Sequence, residues 1–183
     1  MSFPVRSAAL VAPLLLLTYG VLRLATDESR SPVRDVGQGF MLAALTCFGV
    51  LLVGLRRAVR APSVRRATAT TTMTVLGLVG VAVLLLLALD EAFPSADGAF
   101  PLPDRPNDVG PVLLLMGLSG LLVDVTIHEP HRMPAWSPVA VAAGFGAMAL
   151  KPDLSTLAAM LLLAGLLPLV RTSALDRVRA PLE

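Results

Sequence analysis

The sequence is poor in cysteine, in aromatic residues and in charge. Of its 183 residues, one is a cysteine, 4% are aromatic and 15% are charged, whereas 55% are hydrophobic. The single cysteine, Cys47, excludes a disulfide framework and a multi-cysteine metal site within the chain. A soluble globular domain carries more charge than this, so we predict a membrane protein. Because aromatic girdles are typical of β-barrels, their scarcity favours helices that pack through small residues.

The sequence also lacks the short motifs of common enzymes. It contains no nucleotide-binding loop, no nucleophile elbow, no zinc-protease motif and no nucleic-acid signature. We therefore expect no catalytic residue, no cofactor, no bound metal and no nucleic-acid partner.

What the chain does contain is a series of long apolar runs. A helix needs about 20 apolar residues to cross a hydrocarbon core of about 30 Å. Four segments reach roughly this length, namely 7–25, 36–55, 69–89 and 109–127. They predict an all-α, polytopic transmembrane bundle with a four-span membrane domain over residues 1–130.

Two shorter apolar segments follow in the C-terminal part, residues 131–183. Segments 135–150 and 154–170 are separated only by Lys151, Pro152 and Asp153, so they predict a helical hairpin. The hairpin either crosses the membrane twice, which gives six spans, or enters it only partly. Either way the chain returns to the side that it left.

Orientation follows from the basic residues in the short loops. The loop "RRAVRAPSVRR" (56–66) holds five arginines and no acid, whereas 90–108 holds five acids and one arginine. The first loop is predicted to be cytoplasmic and the second external, with both termini inside. The chain has fourteen arginines and one lysine, a bias typical of a GC-rich bacterial genome, so we expect a multi-pass protein of the bacterial cytoplasmic membrane.

Charge inside the four long segments is confined to Arg23 and Asp124, each in or near the last turn of its predicted helix. Ion-translocating proteins normally keep ionisable groups near mid-membrane. The sequence therefore argues against an ion path carried by this chain alone, and against a small homo-oligomeric transporter.

Asp124 and His128 form a candidate polar site. His128 lies four residues after Asp124, on the same helical face, and can pair with it. With His131 the spacing resembles a metal-ligand set, but Pro130 ends the helix before His131. The favoured interpretation is a helix end whose acid pairs with His128 or with an arginine of the 56–66 loop. The alternative is a stand-alone membrane protein with a metal- or proton-responsive site, built on Asp124, His128, Glu129 and His131.

The arginines from Arg56 to Arg66 allow two interpretations: anionic lipid head groups as partners, or a determinant of topology and nothing more. Small residues predict close helix packing, either within the chain or against another subunit. These packing candidates are Gly77, Gly80, Gly117 and Gly120.

Two similar stretches, "DVGQGF" (35–40) and "DVGPVL" (108–113), each place an acid before an apolar run. Asp35 and Asp108 are predicted helix caps, worth about 0.5–2 kcal/mol. Gly37 and Gly39 cost up to about 1 kcal/mol each inside a helix. We therefore predict that another segment packs closely there, against Gly37, Gly39 and Phe40.

The stretch "VGQGFMLAALTCFGVLLVGL" resembles the second span of the B subunit of Mrp-type (Mnh-type) cation/proton antiporters, in which a GGGF segment opens a small-residue span. "NDVGPVLLLMGLSGLL" is similar to the Asp-aliphatic-Gly opening of a later span, at Asp108, Val109 and Gly110. The resemblance covers about residues 8–128, and residues 131–183 have no counterpart in it. It implies an accessory subunit of a multi-subunit cation (Na⁺)/proton antiporter, whose partners are other membrane subunits that carry the translocation relays.

Overall fold

The computed structural model describes residues 3–25, 32–59, 63–92, 109–128, 133–150 and 154–178. Within these ranges the chain forms six helices and no strand. The helices are α1 (Phe3–Ala25), α2 (Pro32–Ala58), α3 (Val64–Ala92), α4 (Val109–His128), α5 (Trp136–Leu150) and α6 (Ser155–Val178). The all-α prediction is confirmed for the described residues.

Two helices begin earlier than their apolar runs suggest. Helix α2 begins at Pro32, whose fixed φ suits the first helical position. Asp35 therefore lies inside the first turn and not at the cap, which corrects that prediction, although its charge still faces the positive end of the helix dipole. Helix α3 begins at Val64, and the Ser63 hydroxyl caps it by accepting a 3.3 Å hydrogen bond from the Arg66 amide. Asp108, the other predicted cap, lies outside the described residues.

Consecutive helices pack against each other and run antiparallel, and α6 returns to pack against α1, so the six helices close into a ring. The two sides of the ring also meet across its centre. Helix α2 contacts α4, and the ring of Phe48 on α2 lies edge-on to that of Phe145 on α5, with centroids 5.5 Å apart. Such edge-to-face pairs stabilise a core beyond their buried area.

The buried side chains form one apolar cluster with members on all six helices, including Leu16, Leu52, Leu84, Leu118, Phe145 and Leu162. The cluster joins the predicted four-span segment to the C-terminal hairpin. The hairpin touches both ends of that segment, because α5 packs on α4 and α6 packs on α1. The boundary near residue 130 stays a prediction.

The outer surface of the bundle is apolar as well. Every helix exposes large hydrophobic side chains, among them Leu14, Val50, Val79, Met116, Val139 and Met160. A soluble protein rarely exposes so much apolar surface. Four helical segments, Val5–Ala25, Asp35–Ala58, Val64–Asp90 and Val109–His128, are long and apolar enough to cross a membrane. The chain is accordingly a helical membrane protein.

The hairpin helices are different from these four. Helix α5 has 15 residues and is therefore about 22 Å long, short of a hydrocarbon core of about 30 Å. The apolar part of α6 is also short, Ser155–Val170. Whether the hairpin crosses the membrane fully stays a prediction.

Candidate functional site

Four of the predicted packing glycines lie where α3 crosses α4. A Cβ added at Gly80 would lie 2.8 Å from the Gly110 carbonyl oxygen, and one at Gly117 would collide with the backbone of Gly77. At Gly120 the added atom would meet the Met73 side chain at 2.7 Å. The backbones of α3 and α4 approach so closely that only glycine fits at the centre of the crossing. These glycines therefore pack within the chain.

Gly37, Gly39 and Phe40, the predicted contact residues near the start of α2, have three different environments. Gly37 is buried against α1, where an added Cβ would sit 3.8 Å from Tyr19 Cδ2, an ordinary contact. Phe40 packs against the chain's own core. Gly39 is exposed, and no described atom outside its own helix lies within 4 Å of a Cβ built there. The predicted contact at Gly39 is thus not made by a described residue of this chain, and as a contact with another chain it stays a prediction.

Gly39 belongs to an exposed stripe on the outward face of α2 in which two valines flank three smaller residues, and we call it the small-residue stripe. The stripe comprises Val36, Gly39, Ala43, Thr46 and Val50. Its alternating spacing of three and four residues is that of a helix-packing seam, and Gly39 with Ala43 forms the small-xxx-small pair that permits close backbone approach. By contrast, the outward face of α1 exposes larger groups such as Leu14 and Leu24.

Asp124 is engaged by two basic side chains. The Arg66 guanidinium donates two hydrogen bonds to its carboxylate, from Nε to Oδ1 at 3.0 Å and from Nη2 to Oδ2 at 2.8 Å. The Arg66 and Asp124 side chains are 14% and 18% exposed, so the pair is largely removed from solvent. A bidentate arginine–carboxylate pair is among the stronger polar contacts available to a protein. It joins the first turn of α3 to the end of α4.

His128 is the second partner of Asp124. Its Nδ1 lies 2.9 Å from the Asp124 main-chain oxygen and 3.2 Å from Oδ1. Because a carbonyl oxygen only accepts, this contact requires the hydrogen on Nδ1, and only Nε2 is then left as a metal-ligating atom. The described residues contain no group of three His, Cys, Asp or Glu side chains able to hold a metal ion. Glu129 and His131, which the metal alternative needs, lie outside them.

One end of the bundle is basic. It brings together the start of α1, the ends of α2 and α4 and the start of α3, and we call it the basic end. Its described arginines are Arg6, Arg56, Arg57, Arg65 and Arg66. The opposite end carries Arg23, Asp35 and Asp90 among the described side chains, and there Arg23 Nη1 donates to the Tyr19 hydroxyl at 3.0 Å.

Sequence reasoning missed three buried polar groups near the end opposite to the basic end. Gln38 on α2 is 5% exposed, and its Oε1 has no hydrogen-bond partner among the described residues. The hydroxyls of Ser155 and Thr156 at the start of α6 are also buried without such a partner, and both lie close to Gly20 on α1. A glutamine inside an apolar run was the available signal for Gln38, but its burial depends on how α2 faces its neighbours.

The chain matches no protein-family model, and comparison with curated proteins and with solved structures also gives no match.

Proposed function

We propose that the protein is a non-catalytic accessory or scaffolding subunit of a multi-subunit cation (Na⁺)/proton antiporter-like complex in the bacterial cytoplasmic membrane. The proposal joins the resemblance of residues 8–128 to the B subunit of Mrp-type antiporters with the way that this chain distributes its polar groups.

The observation that carries the proposal is the small-residue stripe around Gly39. A glycine inside a helix costs up to about 1 kcal/mol relative to alanine, and the chain's own described packing does not require it at this position. A partner helix that approaches the α2 backbone would require it. The stripe has the length and spacing that such a helix needs.

The distribution of charge is in keeping with a packing role. The described arginine, aspartate and histidine side chains lie toward the two ends of the bundle, whereas its middle is filled by residues such as Phe48, Leu118 and Phe145. Ion translocation normally uses ionisable groups near mid-membrane. In this proposal the partner subunits supply them.

The test is isolation of the tagged protein from its native membrane in a mild detergent, with mass spectrometry of whatever co-purifies in stoichiometric amount. We expect large, many-span subunits that carry intramembrane lysine and glutamate. Recovery of the protein alone, under conditions in which a known membrane complex stays intact, would overturn the proposal.

A further inference from the structure

The basic end carries three exposed arginines, on two helices that a short connection joins. Arg56 and Arg57 lie in the last turn of α2, and Arg65 lies in the first turn of α3, across the short connection between the two helices. Arg56 is held in place, since its Nη2 donates to the Thr71 hydroxyl at 3.3 Å while that hydroxyl donates to the Ala67 carbonyl oxygen at 2.7 Å.

These three arginines are not neutralised by the described acid of this end. Asp124 directs its carboxylate to Arg66 and His128. Within the described ranges none of Arg56, Arg57 and Arg65 forms an ion pair. No described acid therefore competes with an external anion for the positive charge of these three side chains.

The position of the three arginines indicates which kind of anion binds to them. The three arginines lie in the terminal turns of two apolar segments, Asp35–Ala58 and Val64–Asp90. The ends of a membrane-crossing helix lie at the level of the lipid head groups. Val64, directly beside Arg65, is 84% exposed. A ligand that satisfies both features has a phosphate for the guanidinium groups and acyl chains for the apolar surface beside them.

We propose that Arg56, Arg57 and Arg65 bind the phosphodiester head group of an anionic phospholipid such as phosphatidylglycerol. Arginine suits this role because its planar fork matches two phosphate oxygens and its charge is never lost. Each basic side chain near a membrane surface strengthens attraction to anionic lipid roughly fivefold, so the three together supply about 100-fold. The inference goes beyond the proposed subunit role and does not depend on it.

The test uses the full chain, purified in a neutral detergent and titrated with phosphatidylglycerol or phosphatidylcholine, with bound lipid counted by native mass spectrometry. We expect retention of phosphatidylglycerol over phosphatidylcholine. The variant Arg56→Gln/Arg57→Gln/Arg65→Gln should weaken phosphatidylglycerol binding by about 100-fold. The matched control Arg23→Gln/Arg30→Gln/Arg34→Gln removes three charges from the predicted external side and should bind like the unmodified protein.

Two further measurements distinguish lipid binding from a defect in insertion and from binding of free phosphate. Because removal of three arginines can alter insertion, the variant Arg56→Lys/Arg57→Lys/Arg65→Lys keeps the charge and should retain binding to within about tenfold. Sodium phosphate at matched ionic strength should not displace the lipid. Equal binding of both lipids, equal losses in the two glutamine triples, or displacement by free phosphate would each overturn the proposal.

Discussion

Arg66 and Asp124 are 58 residues apart in the sequence, yet they form a bidentate ion pair across the α3–α4 junction. The pair lies at the basic end of the close glycine crossing between the same two helices. The crossing sets the register of the two helices, and the ion pair stabilises that register at one end.

We expect a double-mutant cycle on Arg66→Gln and Asp124→Asn to give a coupling of about 1–2 kcal/mol, because the hydrogen bonds are charge-assisted and largely shielded from water. The measurement is the free energy of unfolding in detergent micelles. Asp90→Asn is a suitable control, since Asp90 is an exposed carboxylate in the last turn of α3. It should change stability by less than about 0.5 kcal/mol. Strictly additive single substitutions would contradict the coupling.

The glycine crossing makes a second prediction. Gly80→Ala and Gly117→Ala should each destabilise the fold by about 1–3 kcal/mol, because the new methyl group meets backbone atoms that cannot move aside cheaply. Gly146→Ala on α5 is the matched control, since nothing described lies within 4 Å of its Cβ. That variant should be neutral or gain up to about 1 kcal/mol from helix propensity. Thermal unfolding in micelles measures all three, and equal melting temperatures would disprove a tight crossing.

Substitutions at Gly39 and Gly37 distinguish a contact with another subunit from packing within the chain. Gly39→Leu should leave the stability of the isolated protein unchanged or raise it by up to about 1 kcal/mol, because the position is open and leucine forms helix better than glycine. It should reduce co-purification of partner subunits at least tenfold, the effect of about 1.4 kcal/mol at an interface.

Gly37→Leu should instead disturb α1 packing, because only an ordinary contact distance separates its Cβ position from Tyr19. The double replacement of both glycines would therefore not distinguish the two roles. Gly146→Leu adds the same volume on another open helix face and is the control. Unchanged recovery of partners with Gly39→Leu would refute the contact.

Orientation is testable through cysteine labelling. In a Cys47→Ser background, Gly98→Cys should react in intact cells with a membrane-impermeant maleimide, whereas Ala61→Cys should react only after the membrane is opened. The expected difference follows from the arginines of 56–66 and the acids of 90–108. The reverse labelling pattern would invert the predicted topology.

The helices were predictable because their apolar runs are long, and membrane-crossing helices must satisfy all their backbone hydrogen bonds internally. Their ends were less so. Helices α2 and α3 begin before their apolar runs and include Asp35 and Arg66, because polar residues also form helix where no hydrocarbon surrounds them. There a capping group such as Ser63 decides where the helix begins.

The pairing of side chains lay beyond the sequence for a different reason. Charge alone did not distinguish His128 from the five arginines as the partner of Asp124, and the structure uses both His128 and Arg66. Which arginine reaches Asp124 depends on the register of α3 against α4, and that register is set by where the glycines interlock. The inward position of Gln38 has the same kind of cause, since it depends on the rotation of α2.

The closed ring of helices has a consequence for the order of events during synthesis. Gly20, near the end of α1, packs against Ser155 and Thr156 at the start of α6. The ribosome adds these two residues 135 and 136 positions after Gly20. At about 5–20 residues per second the ribosome needs roughly 7–27 s to cover that interval. Throughout this time the α6-facing side of α1 is occupied by lipid or by the insertion machinery, and the ring is sealed only when the last helix arrives.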